Sequence, residues 1–243
     1  MNLEKINEYY KSLDIKTYWS TESLSVDQIN IITRTFKGLH KIYPDVIIKE
    51  IGDFYSIDKL SRQQAIESGN KLLNEEDFSD NEYYMKNPQD VKKTKEIVKK
   101  LLDDIQQNVL EVYDNKYINA KYSAKYFAFD RKIIFNQFYH WELKEILFHE
   151  FGHAVAFQYN INNNKAIKEI FNNIDKKIIK KLVSDYATTE VEEFIAEVFM
   201  YHHLQRRNSI INKVMSIINE EIKNGKAMSE TERFLNNAIY GEL

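Results

Sequence analysis

Residues 148–154 read FHEFGHA and place His149, Glu150 and His153 within one and a half helical turns. On a helix advancing ~100° per residue, His153 falls about 40° from His149 and one turn further on, so both imidazoles leave one face. Glu150 lies about 60° beyond His153. From there its carboxylate reaches whatever the imidazoles bind without having to bind it, which is the position of a general base. The bland alternative is a pair of core histidines with ordinary hydrogen bonds; the His-Glu-x-x-His motif favours zinc over it without settling the matter, which a third ligand would do. The rest of the segment, with Leu143, Ile146, Leu147, Phe148, Phe151, Val155 and Phe157, is almost wholly apolar, so the polar cluster sits on a buried element.

A catalytic zinc keeps three protein ligands and leaves a fourth position to water, so a third ligand must come from elsewhere. The chain has no cysteine, which restricts the choice to His, Asp or Glu. Residues 184–199, SDYATTEVEEFIAEVF, supply the candidates. Thr189 and Glu192 form a capping-box pattern that predicts a helix starting at Glu190. On its wheel Glu193 and Glu197 are about 40° apart, while Phe194, Ile195, Val198 and Phe199 fill much of the remainder. Two carboxylates on one face of a mostly buried helix are costly unless a cation or strong donors compensate. An exposed acidic stripe paired with lysines is the bland alternative, and spacing alone does not choose among Glu190, Glu192, Glu193 and Glu197. His202 and His203 point ~100° apart and do not readily chelate one ion, so they and His140 are read as surface or helix-end residues.

The elements that must position these residues come from a chain of 243 residues, long enough for one domain with a real core. With 2 Pro and 6 Gly there are few breakers, and a dominant 3.6 period predicts an α+β, predominantly helical fold with a minor sheet. Strands are expected at residues 15–19 and 45–51, the latter closed by Gly52-Asp53. Between them Ser25 and Gln28 open a helix that ends before Pro44. Residues 126–129 and 132–136 flank Asp130-Arg131 as a hairpin or one bent strand. Helices are expected near 141–160, 164–183, 189–207, 209–223 and 230–239, with the Asn-rich stretch 160–164 as a loop. The segment 58–113 is polar and helical, with Ile97, Leu101 and Ile105 as a buried stripe, a loop near Asn87-Pro88, and the lysines of KKTKEIVKK (92–100) as a solvated face. Net charge −3 and a pI near 6.1 give no electrostatic reason to expect nucleic acid or an anionic membrane. The first twenty residues carry no signal-peptide core and no later run is bare enough to span a bilayer, which predicts a soluble chain.

Taken together, ILFHEFGHAVAF followed by SDYATTEVEEFIAEVF resembles the anthrax lethal factor catalytic domain and its relatives, which include the Pro-Pro endopeptidases. A tyrosine stands seven residues before the candidate ligand glutamate and a further glutamate four after it. The tail SETERFLNNAI is similar to the family's closing helix, and residues 15–51 to its opening piece. The likeness covers roughly 15–51 and 124–240 and leaves 58–113 as a helical insertion within a single domain spanning 1–243. It implies a zincin-type fold with a small mixed sheet packed on the His-Glu-x-x-His helix. It implies one Zn²⁺ held by His149, His153 and Glu193, with Glu150 as catalytic base acting on a zinc-activated water. Tyr186 would steady the oxyanion, and Glu197 would orient a ligand imidazole. The activity implied is that of a zinc endopeptidase whose protein or peptide substrate lies as an extended strand along the sheet edge near Ala124–Asn136. Family habit implies export or delivery into a host, whereas the visible N-terminus predicts a chain that stays inside or leaves without a standard leader. Two other readings fit the same residues: an intracellular zincin of another lineage cutting a regulatory protein, and a non-catalytic, zinc-binding, toxin-like binding module.

Overall fold

A computed structural model of the chain describes residues 1–74, 88–107, 123–136 and 142–225. Helix α1 (Leu3–Lys11) leads into strand β1 (Lys16–Tyr18), helix α2 (Val26–Ile42), strand β2 (Glu50–Asp53) and helix α3 (Phe54–Leu73). Helix α4 (Pro88–Gln107) precedes the hairpin β3 (Ala124–Phe127) and β4 (Lys132–Phe135). Helices α5 (Leu143–Gln158), α6 (Lys165–Asn173), α7 (Lys176–Leu182), α8 (Val191–His203) and α9 (Ser209–Asn224) follow. The α+β, mostly helical class expected from periodicity is thus observed.

The sheet runs in the order β1-β2-β4-β3. β1, β2 and β4 are parallel, and β3 returns antiparallel to β4 with Tyr126 opposite Ile133. Side chains alternate across it as strand geometry requires. Ile51, Ile133 and Phe135 enter the main core with Phe36 of α2 and Phe151 of α5, whereas Ile134 joins Phe54 of α3 on the opposite face. The parallel step from β1 to β2 is made through α2, whose start is fixed by the expected capping box: Ser25 accepts from Gln28 N while the Gln28 side chain accepts from Ser25 N. A cap of this kind is worth about 1 kcal/mol.

The structure moves several expected boundaries, each for a local reason. The strand expected at 45–51 is Glu50–Asp53, so Gly52 and Asp53 lie inside it instead of closing it. Ile47, further back, satisfies its backbone differently: Ile47 N donates to Gln158 Oε1 and Ile47 O accepts from Gln158 Nε2, both at 2.8 Å. Asp53 ends the strand by capping α3, accepting from Ser56 N. The helix expected at 164–183 is two helices, because Asp175 accepts from Lys177 N and starts α7 afresh. In α4 the expected stripe is rotated out: Ile97 and Leu101 are exposed, and Leu102 is buried. Leu102 seats against Gly69 of α3, where a β-carbon would stand 2.7 Å from it. The partner's notch therefore selects which apolar ridge turns inward. The side chain of Ile105, the residues 108–113, Asn87, His140 and the helix expected at 230–239 lie outside the described residues.

Helices α5 and α8 cross against each other at Gly152, where a methyl group would stand 3.1 Å from both Ala196 Cα and Phe199 Cβ. Backbone atoms do not yield without moving a whole helix. Gly152→Ala gains about 1 kcal/mol of helix propensity, against an overpacking cost of about 1–3 kcal/mol. The expected outcome is a net loss of about 1 kcal/mol, read by urea unfolding, and an unchanged or raised midpoint would show that the helices have room to part.

Candidate metal centre

The first half of the site is built by α5 alone. Its i, i+4 spacing sets the His149 and His153 ring centroids 4.7 Å apart, with their Nε2 atoms 3.1 Å from each other. α8, held close by Gly152, brings in the second half. Glu193 Oε2 lies 3.1 Å from His149 Nε2 and 3.4 Å from His153 Nε2. Ligand atoms of the three residues fall within 4.8 Å of one another, and this is the group among the described residues that could hold a metal ion.

The surroundings bias these atoms towards a cation. Glu197 Oε1 lies 2.9 Å from His149 Nδ1. A carboxylate there accepts the Nδ1–H, which leaves the Nε2 lone pair aimed at the centre. Glu193 Oε2 is buried and makes no properly angled hydrogen bond despite its two nitrogen neighbours. An orphaned carboxylate oxygen facing imidazole lone pairs is unfavourable by itself and favourable around a divalent ion. The same bias acts on the protons. Burial opposes charge on His149, but the Glu193 and Glu197 carboxylates outweigh it and raise its pKa. Burial likewise opposes charge on Glu193, and His149 and His153 overcome it and hold its carboxyl low. The donor set, two nitrogens and one oxygen, suits a divalent transition metal.

Glu150 stands beside this knot of ligands without belonging to it. It is buried, 7% exposed, and Oε2 accepts from Tyr126 N at 2.6 Å. The backbone of β3 thereby holds the carboxylate at the wall of a cleft of about 320 Å³. Ala124, Lys125, Tyr126 and Ala128 of the hairpin face His149, Glu150, His153 and Glu193 across it. Among the described residues β3 is the outermost strand on this side of the sheet, so it is the hairpin member that forms the edge there.

Tyr186 stands at the other side of the cleft, its ring stacked on His149 at 5.8 Å and 30°. The residues around it hold a short 3₁₀ turn, Tyr186–Thr188, by their own side chains. Ser184 Oγ accepts from Ala187 N, Thr188 Oγ1 donates to Asp185 O and Thr189 Oγ1 donates to Tyr186 O. The expected Thr189–Glu192 capping box is absent for this reason: the Thr189 hydroxyl closes the turn, and α8 begins at Val191 after Glu190, which makes no side-chain cap. Partial burial, then the neighbouring Glu193 carboxylate, raise the Tyr186 pKa, so its hydroxyl keeps its proton near neutrality.

The structure therefore brings together all six residues that the sequence points to: His149, Glu150, His153, Tyr186, Glu193 and Glu197. Of the four glutamates left open by spacing, Glu193 faces both Nε2 atoms, Glu197 takes the outer position on His149, Glu192 is half-buried outside the ligand group, and Glu190 is exposed. The Tyr126 N–H anchor and the cleft residues Phe157 and Asn162 are not among the residues that sequence reasoning reaches. A main-chain donor leaves no mark in residue identity, and only the inward phase of Tyr126 in its strand hints at it. His202 and His203 end α8 as expected, and His203 is half-buried there: it packs between Phe148 and Phe199 and meets Tyr43 Oη at 3.0 Å.

Removing the outer carboxylate should loosen the centre without dismantling it. Glu197→Ala is expected to weaken metal binding by about 10–100-fold, measured by competition with a chromophoric chelator, and an unchanged affinity would remove Glu197 from the centre. No helix among the described residues is long and apolar enough to cross a membrane. The chain matches no protein-family model, no curated protein and no solved structure.

Proposed function

We propose that the chain is a zinc-dependent endopeptidase of the zincin type, similar to the lethal factor and Pro-Pro endopeptidase family, acting on a peptide held as an extended strand along β3. The observation that carries this reading is the joint geometry of the ligands and the base. His149, His153 and Glu193 converge on one point, while Glu150 is held out of that ligand set by Tyr126 N, beside the same cleft. A purely structural metal site has no use for a fixed carboxylate beside its ligands.

Zn²⁺ bound there would supply a Lewis acid that polarises the scissile carbonyl and acidifies a water at its open position. The chain's own groups do the rest. Glu150 takes the proton from the attacking water and delivers it to the departing nitrogen, while its contact with Tyr126 N keeps the carboxylate in place through both transfers. The Tyr186 hydroxyl, protonated at neutral pH and placed beside His149, donates to the oxygen on which negative charge develops. β3, with no second neighbour among the described residues, offers backbone groups for the peptide to pair with.

On this reading Tyr186→Phe lowers kcat by about 10²–10³-fold, with KM and bound zinc little changed; an effect on KM alone would make Tyr186 a packing residue. The reading as a whole is tested by incubating zinc-loaded protein with a random peptide library and identifying the products by mass spectrometry. Cleavage at a defined sequence pattern is expected, and intact peptides in the presence of stoichiometric zinc would contradict an endopeptidase.

A further inference from the structure

Helix α2 carries two apolar ridges, and the sheet and α5 cover only one. Ile29, Ile32, Phe36 and Leu39 are buried in the core. On the outer side Ile31 is 45% exposed and Ile42 58% exposed, with Thr35 and Gly38 between them at helical spacing. These residues form one wall of an open groove of about 520 Å³, whose other wall holds Lys144 and Phe148 of α5 and His203 of α8. Gly38 sits mid-groove, and a β-carbon there would meet nothing within 4 Å. A glycine inside an exposed helix costs about 1 kcal/mol relative to alanine. Here it opens a notch between two exposed isoleucines.

The charges of the groove decide what fits it. Arg34 and Lys144 line it, no acidic residue does, and neither cation forms an ion pair among the described residues. A second copy of this chain, packed through the same face, would set these cations against their own kind. A single hydrocarbon chain would lie half wet in a groove open along its length. From Ile31 to Ile42 the ridge runs roughly 16 Å, about three turns of helix, which matches an amphipathic helix laid in a groove with anchors one turn apart. We propose that this groove docks an acidic amphipathic helix of a partner protein, its apolar anchors seated over Gly38 between Ile31 and Ile42 and its carboxylates on Arg34 and Lys144. The groove shares no lining residue with the metal-centre cleft, so the proposal stands apart from the peptidase reading.

The probes are three labelled 18-residue helical peptides, each with leucines at i, i+4, i+7 and i+11 in a different register and glutamates flanking them, followed by fluorescence anisotropy on the full chain. At least one is expected to bind saturably, and its counterpart with lysine for glutamate at least tenfold more weakly. Gly38→Phe, which fills the notch without touching the core, and the pair Arg34→Glu with Lys144→Glu are each expected to weaken binding at least tenfold, with circular dichroism and bound metal unchanged. Absence of saturable binding by all three peptides, or binding indifferent to these variants, overturns the proposal. So does concentration-dependent dimerisation abolished by Gly38→Phe, or oleate binding that the variants abolish where no peptide binds.

Discussion

Glu150→Gln is expected to lower peptide hydrolysis by about 10²–10⁴-fold in kcat, the range of general-base contributions, while bound zinc stays at the wild-type level. The substitution isolates the proton-transfer role because it changes little else. Glutamine matches the carboxylate in shape, and its Oε1 still accepts from Tyr126 N, so the contact between β3 and α5 survives. Nor does Glu150 belong to the ligand group, which is made by His149, His153 and Glu193. On the proposed reading, what is lost is the ability to take a proton and give it back. Activity equal to wild type in a zinc-replete Glu150→Gln protein would mean that the base lies elsewhere or that hydrolysis comes from a contaminant.

Glu193→Gln tests the other half of the centre and should weaken zinc binding by more than the roughly 100-fold that marks the upper end for outer-sphere partners. The carboxylate is the negatively charged donor of the set, and its Oε2 is buried without a hydrogen bond of its own. Glutamine puts a neutral amide where the two imidazole nitrogens converge, and it presents either a weaker oxygen donor or an N–H that repels a cation. Folding should survive, because α8 is anchored by Phe194, Ile195, Val198 and Phe199, all essentially inaccessible. Unchanged zinc content in this variant would remove Glu193 as a ligand and leave the assignment to another acid, as in a zincin of different lineage.

The parts of the site that lie on a single helix are legible in the residue order itself, and the parts that join two helices are not. His149 and His153 share a face because i, i+4 spacing leaves no other outcome in a helix. The pairing of α5 with α8 depends on Gly152 meeting Ala196, and neither residue signals its partner. Spacing within α8 marks a buried acidic face but not its ligand, since Glu193 and Glu197 differ by one turn and only the approach of α5 tells inner from outer. The resemblance to known zinc endopeptidases supplies that choice together with Tyr186.

The misplaced elements have a common cause. Residues 45–49 carry the apolar pattern of a strand, yet the Ile47 backbone is satisfied by Gln158, a side chain 111 residues away. Ile97 and Leu101 look like a core stripe on a lysine-rich helix until Gly69 on α3 draws in Leu102 and turns the other ridge outward. Thr189 fits a capping box, but its hydroxyl closes the turn that presents Tyr186. In each case the local pattern is sound and a competing partner overrides it.

On the proposed reading two imidazoles of α5 and one carboxylate of α8 grip a divalent zinc ion. The most direct measurement is elemental analysis of full-length protein purified without chelating resin, before and after dialysis against a strong chelator and re-addition of zinc. One equivalent of zinc per chain, removed by the chelator and restored from solution in wild type but not in Glu193→Gln, is the predicted result. Protein that carries no transition metal as purified and takes up none when zinc is supplied would contradict the metal centre and every catalytic step assigned to its neighbours.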